Sequence, residues 1–406
     1  MTAVEWDVAV VGGGIVGLAT VLALGDADPS LRVGIVEKER QPATHQTGHN
    51  SGVVHSGVYY RPGTLKAHMC VAGAARMIEF CRAHAIPHRR VGKVIVAVTE
   101  EEMPALRELL RRGRANGVPG LAMLDRSGLQ RVEPQVAGVA ALHIPGVAVV
   151  DYRRVAAAMA GDARRRGVEI RTSWPVTGAV PVPGGVELES PRGPVSAATV
   201  VNCAGLYADV VARKLGAQTP VQIVPFRGEY HNLRPDQAQR IGGLVYPVPD
   251  VRFPFLGVHL TPTPDGRVEA GPNAVLAFAR EGYRWRTVHV AELLATLRYE
   301  GLRRLAARHW RTGLGEMRRS LSRRAFAAAT ARLLPGVRRR HLTGGGSGVR
   351  AQAVRPDGTL EDDFVLTVSG AAVHVLNAPS PAATASLVIG EHIAGAVLSG
   401  LGGDVG

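Results

Sequence analysis

The chain has 406 residues, of which 46% are hydrophobic and 20% are charged, and its formal net charge is +14. This composition excludes disordered, collagen-like and disulfide-stapled proteins, and the length predicts two to three globular domains. The odd set of cysteines, Cys70, Cys81 and Cys203, matches no metal-binding spacing and indicates core packing in a reducing compartment.

The first forty residues follow the order strand, glycine turn, helix, strand. Trp6–Val11 and Val33–Val36 are apolar runs of strand length, and Ile15–Leu24 between them is an apolar helix. This order is typical of a βαβ unit. The segment Met1–Asp7 has no signal-peptide pattern. We find no stretch of about 18 apolar residues that would span a bilayer, so we expect a cytoplasmic protein.

The turn over residues 12–17 reads Gly-Gly-Gly-Ile-Val-Gly and lies between the first strand and the first helix. Gly12 permits the tight turn, Gly14 lets the backbone approach a pyrophosphate, and Gly17 lets the helix pack against the strand. The helix N-terminus adds unpaired N–H groups and the positive end of the helix dipole. The turn therefore predicts a bound dinucleotide.

Glu37 ends the second strand, twenty residues beyond Gly17. A carboxylate at this position binds a ribose 2′-hydroxyl. Lys38 could indicate a 2′-phosphate instead, but Glu37 would repel one. Enzymes that relay electrons from NAD(P)H through flavin usually carry two such turns. This sequence shows one, which favours FAD reduced directly by a substrate.

Between residues 41 and 217 helical and strand patterns alternate. Residues 41–65 are rich in Gly, His, Ser and Thr and predict an ordered loop with a short helix. Further helices are expected at 66–84, 101–117, 126–131 and Arg153–Arg166, and strands at Val94–Val98, Glu169–Thr172 and Thr199–Cys203.

Short β-type runs dominate residues 218–275 and predict antiparallel sheet. They are Val221–Val224, Glu229–Leu233, Leu244–Tyr246, Gly257–Leu260 and Val268–Ala270. The expected fold class is α/β, in an α+β two-domain form: a Rossmann-like FAD-binding domain with an inserted antiparallel-sheet substrate domain. We assign residues 1–85, 148–217 and 340–400 to the FAD-binding domain, 86–147 and 218–339 to the substrate domain, and 401–406 to a tail.

Residues 288–333 are helical in pattern and strongly basic. The span Arg303–Arg340 contains twelve arginines and one acidic residue, Glu316. A solvated helical face is the simplest explanation, and contacts with anionic lipid or nucleic acid are the alternatives. No nucleic-acid-binding pattern accompanies the charge, so we expect no nucleic acid as partner. Peripheral contact with the cytoplasmic face of a membrane stays open.

The remainder of the chain is expected to be loop-rich at 343–364, with a strand near 372–376 and a helix at 382–398. Two prolines, Pro379 and Pro381, precede this helix, and proline suits a first helical turn. Residues 399–406 are expected to fray.

One long segment carries a specific resemblance. Residues 45–60 read His-Gln-Thr-Gly-His-Asn-Ser-Gly-Val-Val-His-Ser-Gly-Val-Tyr-Tyr, which is similar to the signature of the L-2-hydroxyglutarate dehydrogenase/oxidase family of D-amino-acid-oxidase-like flavoproteins. Further similar segments, within residues 5–398, are Phe226–Tyr230, Tyr246–Asp250, Pro254–Thr261, Gly271–Ala274, Gly348–Gln352 and Asn377–Thr384. The resemblance implies oxidation of a small 2-hydroxy dicarboxylate, with L-2-hydroxyglutarate giving 2-oxoglutarate by hydride transfer to flavin N5.

Such an oxidation needs a base for the hydroxyl proton and cations for the carboxylates. A histidine suits the base because its ordinary pKa is near 6.5, and His55 and His259 are the candidates. By resemblance Arg350 is the first candidate for a substrate carboxylate. Arg227 is the second, with an ion pair to Glu229 as its alternative role. Candidates for lining the pocket, with core packing as the alternative, are Tyr60, Tyr246 and Asn273.

The resemblance also implies the residues that contact FAD. Besides the glycine turn and Glu37, they are Lys38, His45, Thr47, Asn50, Ser51, Gly52, Ala204, Gly205, Ser380, Ala382 and Ala383. The C-terminal helix would direct its positive N-terminus at the flavin and stabilise the negative charge that forms on reduction. The run Gly344–Gly348 holds more glycines than the family pattern, which predicts a more flexible approach to the active site.

Two other functions stay open at this point. The same scaffold could oxidise an amino acid or a specialised metabolite, or a basic protein with structural FAD could bind a membrane or RNA. We expect an anionic small-molecule substrate, with oxygen or a membrane quinone as the electron acceptor. The oligomeric state is open.

Overall fold

The computed structural model describes residues 4–249 and 257–401. Its strands are β1 Trp6–Val11, β2 Val33–Val36, β3 Val53–Val54, β4 His88–Arg90, β5 Lys93–Ala97, β6 Ala122–Asp125, β7 Ala140–Ile144, β8 Ala148–Val150, β9 Glu169–Arg171, β10 Gly178–Val182, β11 Gly185–Glu189, β12 Val195–Asn202, β13 Gln222–Leu233, β14 Leu244–Pro247, β15 His259–Pro262, β16 Val268–Gly271, β17 Val275–Leu276, β18 Leu342–Val354, β19 Val365–Ser369 and β20 Ala372–Asn377. Its α-helices are α1 Ile15–Ala27, α2 Leu65–Ala83, α3 Met103–Ala115, α4 Arg126–Val132, α5 Tyr152–Arg165, α6 Ala208–Lys214, α7 Pro235–Ala238, α8 Val290–Arg298, α9 Glu300–Leu321, α10 Arg323–Ala331 and α11 Ala382–Leu401. Two segments of the family resemblance, at Asp250 and at Pro254–Leu256, lie outside the described residues.

The first sheet forms around the predicted βαβ unit. Strand β1 pairs in parallel with β2 on one side and with β12 on the other. Strand β9 extends the parallel arrangement beyond β2, and β20 extends it beyond β12. The parallel strands are apolar on both faces because both faces are covered. Helices α1, α2, α5 and α11 pack against one face, and Trp174, Leu188 and Val211 pack against the other. The Rossmann-like domain predicted from the sequence is confirmed.

The second sheet is mostly antiparallel, as the short β runs predict, and within the described residues it has nine strands. One pairing differs, because β14 lies parallel to β5. The two runs expected at 221–224 and 229–233 are a single strand, β13. A register shift between Glu229 and His231 lets the strand continue through a bulge, which interrupts the alternation of apolar and polar side chains.

Strand β18 corrects the prediction of loop-rich structure at 343–364. Its thirteen residues pair with β13 from Gln222 to Leu233. The glycine run is part of this strand because its backbone approaches other backbone closely: a Cβ at Gly345 would collide with the carbonyl oxygen of Tyr230, and one at Gly348 with that of His49. The glycines therefore permit tight packing. Strand β18 also lies in the second sheet, although 340–400 were assigned to the FAD-binding domain; the other domain boundaries stay a prediction.

Helix α11 is apolar and packs in the core of the first domain. Residues Ala382–Gly400 are long and apolar enough to cross a membrane by length and composition, so the expectation that no such stretch exists was wrong. A Cβ at Gly390 would lie 2.6 Å from the backbone of Ala19 in α1. The helix continues to Leu401, past the point where fraying was expected, and residues 402–406 lie outside the described range.

Candidate active site

A cavity of about 1230 Å³ lies where the carboxyl ends of β1 and β12 meet strands of the second sheet. Small-molecule sites usually occupy about 300–1,000 Å³, so this cavity has room for a large cofactor together with a small substrate. The predicted site residues that line it are Gly12, Gly14, Glu37, Lys38, His45, Thr47, Asn50, Ser51, His55, Tyr60, Ala204, Gly205, Tyr246, His259, Arg350, Ser380, Ala382 and Ala383.

The glycine turn has the geometry that a bound pyrophosphate needs. Gly12 adopts φ 108°, and a Cβ there would lie 2.6 Å from the carbonyl oxygen of Cys203. A Cβ at Gly17 would collide with the carbonyl oxygen of Gly12, so this glycine is required for helix packing. A Cβ at Gly14 would meet only the Thr47 hydroxyl, at 3.6 Å. Gly14 therefore leaves the space beside the turn free for a ligand, and the residues present fit a dinucleotide.

Glu37 is fixed at the end of β2 by backbone donors. The amide of Gly13 donates to its Oε2 at 2.7 Å, and the amide of Glu39 donates to its Oε1 at 2.8 Å. These two hydrogen bonds hold the carboxylate at the cavity wall and leave further lone pairs for a ribose hydroxyl.

Lys38 occupies the centre of an acidic cluster in the same wall. Its Nζ contacts Glu39, lies 2.5 Å from Glu281 and is 3.0 Å from Nε2 of His45. Glu39, His45 and Glu281 have a spacing that could suit a metal ion, but the ammonium group already fills that position. Burial opposes protonation of His45, yet hydrogen bonds to Glu281 and Glu39 outweigh it and raise its pKa. These contacts link Glu281, which follows β17, to Lys38 and Glu39, which follow β2.

Four predicted site residues lie outside the cavity lining: Gly17, whose role in helix packing is given above, Gly52, Arg227 and Asn273. A Cβ at Gly52 would lie 2.6 Å from the carbonyl oxygen of Val150, so Gly52 permits strand packing. Arg227 is 1% exposed, stacks 4.1 Å from the ring centroid of Trp285 and lies 3.2 Å from Glu229. Asn273 donates to Glu229 Oε2 at 3.0 Å. The arrangement matches the ion-pair alternative for Arg227, because the partly exposed carboxylate of Glu229 contacts both Arg227 and Asn273.

At the far end of the cavity His259 stacks on Tyr246, with ring centroids 3.8 Å apart. Nδ1 of His259 lies 3.0 Å from the carbonyl oxygen of Gly257. A carbonyl oxygen can only accept, so Nδ1 carries the hydrogen and Nε2 keeps its lone pair in the neutral ring. Burial lowers the pKa of His259 to about 3, and it does the same to His55. The ordinary value near 6.5, used to select these histidines, does not hold in the free protein.

The N-terminus of α11 reaches the same end of the cavity. Residues 377–384 line it, and Thr384 Oγ1 accepts a hydrogen bond from the amide of His55 at 3.0 Å. The Tyr152 hydroxyl lies 3.1 Å from the same oxygen. These contacts fix the positive end of the helix dipole beside His55. That a flavin ring lies there stays a prediction.

Two lysines at this end were missed in the sequence. Lys66 lines the cavity, and its Nζ donates to the carboxylate of Asp362 at 2.8 Å. Lys93 is 3% exposed and lies behind Tyr59 and Tyr246, which line the cavity. A signal was present: the 48 basic residues include lysine only at positions 38, 66, 93 and 214. Lys38, Lys66 and Lys214 line the cavity and Lys93 lies directly behind its wall, so all four lysines belong to this region.

Comparison with known proteins agrees with this geometry. A family model described as FAD dependent oxidoreductase (DAO) matches residues 7–396. The chain is 45% identical to an L-2-hydroxyglutarate dehydrogenase of Indibacter alkaliphilus, covering 96% of this chain and 98% of that protein. It is 43% identical to one from Escherichia coli K12, at 96% and 92% coverage, and 42% identical to the mitochondrial one of Homo sapiens, at 96% and 88% coverage.

Solved structures show the same fold. L-α-glycerophosphate oxidase from Mycoplasma pneumoniae, with FAD bound, gives a TM-score of 0.78 at 24% identity over 97% of this chain and 94% of that one. Glycine oxidase from Geobacillus kaustophilus gives 0.71 at 20% identity, over 97% and 95%. One of these neighbours is named for an alcohol substrate and the other for an amine. The structural similarity therefore defines the fold, and the substrate has to be inferred from the residues of the site.

Proposed function

Because this chain belongs to the DAO family of FAD-dependent oxidoreductases, we propose that it oxidises L-2-hydroxyglutarate to 2-oxoglutarate. The relatives that share 41–45% identity over 96% of the chain carry the name L-2-hydroxyglutarate dehydrogenase. The observation that supports the proposal most directly is one cavity that joins the glycine turn to His55, His259 and Arg350.

The cofactor end of the cavity positions FAD. The amides around Gly14 and the N-terminus of α1 would hold the pyrophosphate, and Glu37 would accept from a ribose hydroxyl. Residues 377–384 would border the flavin. When bound, FAD supplies the acceptor for the hydride that leaves the substrate α-carbon. The chain's own task is to place that carbon and to remove the hydroxyl proton.

The substrate end supplies a base and a cation. Arg350 would bind a substrate carboxylate, since a guanidinium matches the two oxygens of a carboxylate. Nε2 of His259 would accept the hydroxyl proton, because its Nδ1 is already committed to Gly257. His55, beside the N-terminus of α11, would orient the hydroxyl. An anionic substrate favours protonation of a neighbouring histidine, so its arrival raises the low pKa that burial imposes.

Anaerobic reduction of the purified yellow protein tests the substrate. L-2-hydroxyglutarate should bleach the flavin absorbance, while L-glutamate, the matched 2-amino acid, should leave it unchanged. Bleaching by the amino acid alone would replace the proposal with the amine-oxidising alternative. Colour that no 2-hydroxy or 2-amino acid bleaches would point to structural FAD.

We further propose that oxygen or a membrane quinone reoxidises the flavin, and that α8 and α9 meet an anionic bilayer. Most exposed large hydrophobic side chains in the described chain lie between 288 and 321: Val288, Val290, Leu294, Leu297, Trp310, Leu314 and Leu321. Positions 290, 294 and 297 share one face of α8, and 310, 314 and 321 share one face of α9. An exposed apolar face on a basic helix such as α9 is typical of proteins that lie at a membrane surface, and α8 adds a second exposed apolar face.

A basic groove of about 810 Å³ adjoins these helices at α10. It is lined by Arg234, Arg323, Arg324, Arg338, Arg339 and Arg340, and its lining contains no acidic residue. Each arginine near an anionic surface contributes on the order of 1 kcal/mol of attraction. The combination of arginines with apolar side chains supports a lipid surface over RNA, which would not cover the apolar faces.

Flotation with lipid vesicles tests this surface. The holoenzyme should float with phosphatidylglycerol vesicles and remain behind with phosphatidylcholine vesicles. The double variant Trp310→Ser/Leu314→Ser should lose flotation, and Val368→Ser, which removes an equally exposed valine from β19, should keep it. Equal flotation of the double variant, or none by the original chain, would dismiss the membrane face.

A further inference from the structure

Lys93 is a buried cation at the start of β5 whose charge no carboxylate matches in the described parts of the chain. Its side chain is 3% exposed. Nζ lies 3.6 Å from the ring centroid of Tyr246 and 4.3 Å from that of Tyr59. Buried ammonium groups are normally paired, because an isolated charge away from water is costly. Two tyrosine ring faces offset only part of that cost.

The position of Lys93 connects it to the substrate end of the cavity. Tyr59 and Tyr246 form part of the cavity wall, and Tyr246 also stacks on His259. After burial, the charge of Lys93 is the largest cause that holds the pKa of His55 low, and it acts in the same direction on His259. The lysine is therefore close enough to affect whatever binds between these histidines.

We propose that Lys93 is a specificity-determining residue, whose buried charge acts across the tyrosine rings to select a substrate that carries a second carboxylate. This inference rests on the proposed function and deepens it. A dianion brings twice the charge of a 2-hydroxy monocarboxylate into a site from which water is excluded, where electrostatic attraction is stronger than in water. Arg350 would hold one carboxylate of the substrate, and the charge of Lys93 would attract the other.

Above the lowered pKa of Lys93, binding of the dianion should also take up a proton at this residue. Burial lowers the pKa of the free lysine well below its ordinary value, and a nearby dianion would raise it again. Affinity for the dicarboxylate should thus fall as the pH rises through the lowered pKa, because the neutral lysine must first be protonated. The titratable or charged groups around Lys93 are Tyr59, Tyr246, Cys70, His55, His259, Lys66 and Arg350.

The test compares L-2-hydroxyglutarate with L-2-hydroxyvalerate, which has the same chain length and one carboxylate. In the holoenzyme, Lys93→Met should raise KM for the dicarboxylate about 10- to 100-fold and leave that for the monocarboxylate near its original value. Lys93→Arg should retain most of the preference. Arg164→Met removes one positive charge from the exposed face of α5, outside the cavity lining, and should leave the preference unchanged.

The outcomes separate the two proposals. A Lys93→Met enzyme that holds FAD and still prefers the dicarboxylate by the original factor would refute the role of Lys93 alone. An original enzyme that neither acid reduces would count against the proposed function instead. If Lys93→Met does not retain FAD, the original enzyme decides: its affinity for the dicarboxylate must fall with rising pH more steeply than its affinity for the monocarboxylate, and equal slopes would refute the inference.

Discussion

At the scale of single residues, one hydrogen bond distinguishes the two candidate bases. His259 donates through Nδ1 to Gly257, so only Nε2 can accept a proton from a substrate. His259→Gln should therefore lower the rate of anaerobic flavin reduction by about 10²- to 10⁴-fold, the usual contribution of a general base. His55→Gln should have a smaller effect. Stopped-flow reduction at saturating L-2-hydroxyglutarate measures both, and the reverse order would exchange the two roles.

The low pKa of both histidines predicts the pH dependence. Burial holds each near 3 in the free enzyme, so the neutral, proton-accepting form persists as the pH falls. The profile of kcat/KM, which reports the free enzyme, should show no acid limb from a histidine between about pH 5 and pH 8. An acid limb with an apparent pKa near 6.5 would mean that the base is more exposed to water than the structure places it.

Arg350 and Arg227 should differ in what their removal affects. Arg350 lines the cavity, so Arg350→Ala should raise KM for the substrate by about two orders of magnitude while the protein keeps its flavin. Arg227 is buried against Glu229, so Arg227→Ala leaves a carboxylate without its ion pair and should lower the thermal midpoint. Steady-state kinetics and thermal unfolding of both variants test the contrast; a kinetic effect confined to Arg227→Ala would reverse the assignment.

At the scale of elements, two glycines of the same turn have different roles: Gly14 should matter for cofactor binding and Gly17 for the stability of the fold. A side chain at Gly14 meets little protein, so Gly14→Val should fold and yet block the pyrophosphate. A side chain at Gly17 collides with the backbone of Gly12, so Gly17→Ala should cost about 1–3 kcal/mol of stability through overpacking. Flavin content and denaturant unfolding measure the two effects. A fully yellow Gly14→Val protein would show that the pyrophosphate lies elsewhere.

Elements that show a run or a pattern of apolar side chains could be predicted, and a strand that begins with glycines could not. Strands β1 and β2 are continuous apolar runs, and α1 is an apolar helix between them, so the sequence alone places all three correctly. Strand β18 begins with a glycine-rich run, which has few side chains that could alternate, so its sequence predicts a loop. The reason for those glycines is the close approach of β13 and of the loop at His49, which is not a local property.

At the scale of the whole molecule, the cofactor end of the site was easier to predict than the substrate end. The turn and Glu37 belong to one continuous βαβ unit, so spacing along the chain fixes their relation in space. Lys93 reaches the site only because β5 pairs in parallel with β14, which brings the lysine under Tyr246. Arg227 and Asn273 lie outside the cavity lining. Their positions depend on the strands that pair with β13, which the local sequence does not reveal.

Helix α11 has a consequence for the order in which the enzyme matures. The first helix of the chain packs on α11, and residues 377–384 complete the wall beside His55. During synthesis the glycine turn emerges from the ribosome long before this wall exists. If residues 377–384 border the flavin as proposed, its capture has to wait until they have been synthesised, and a chain that stops before Thr384 should remain colourless.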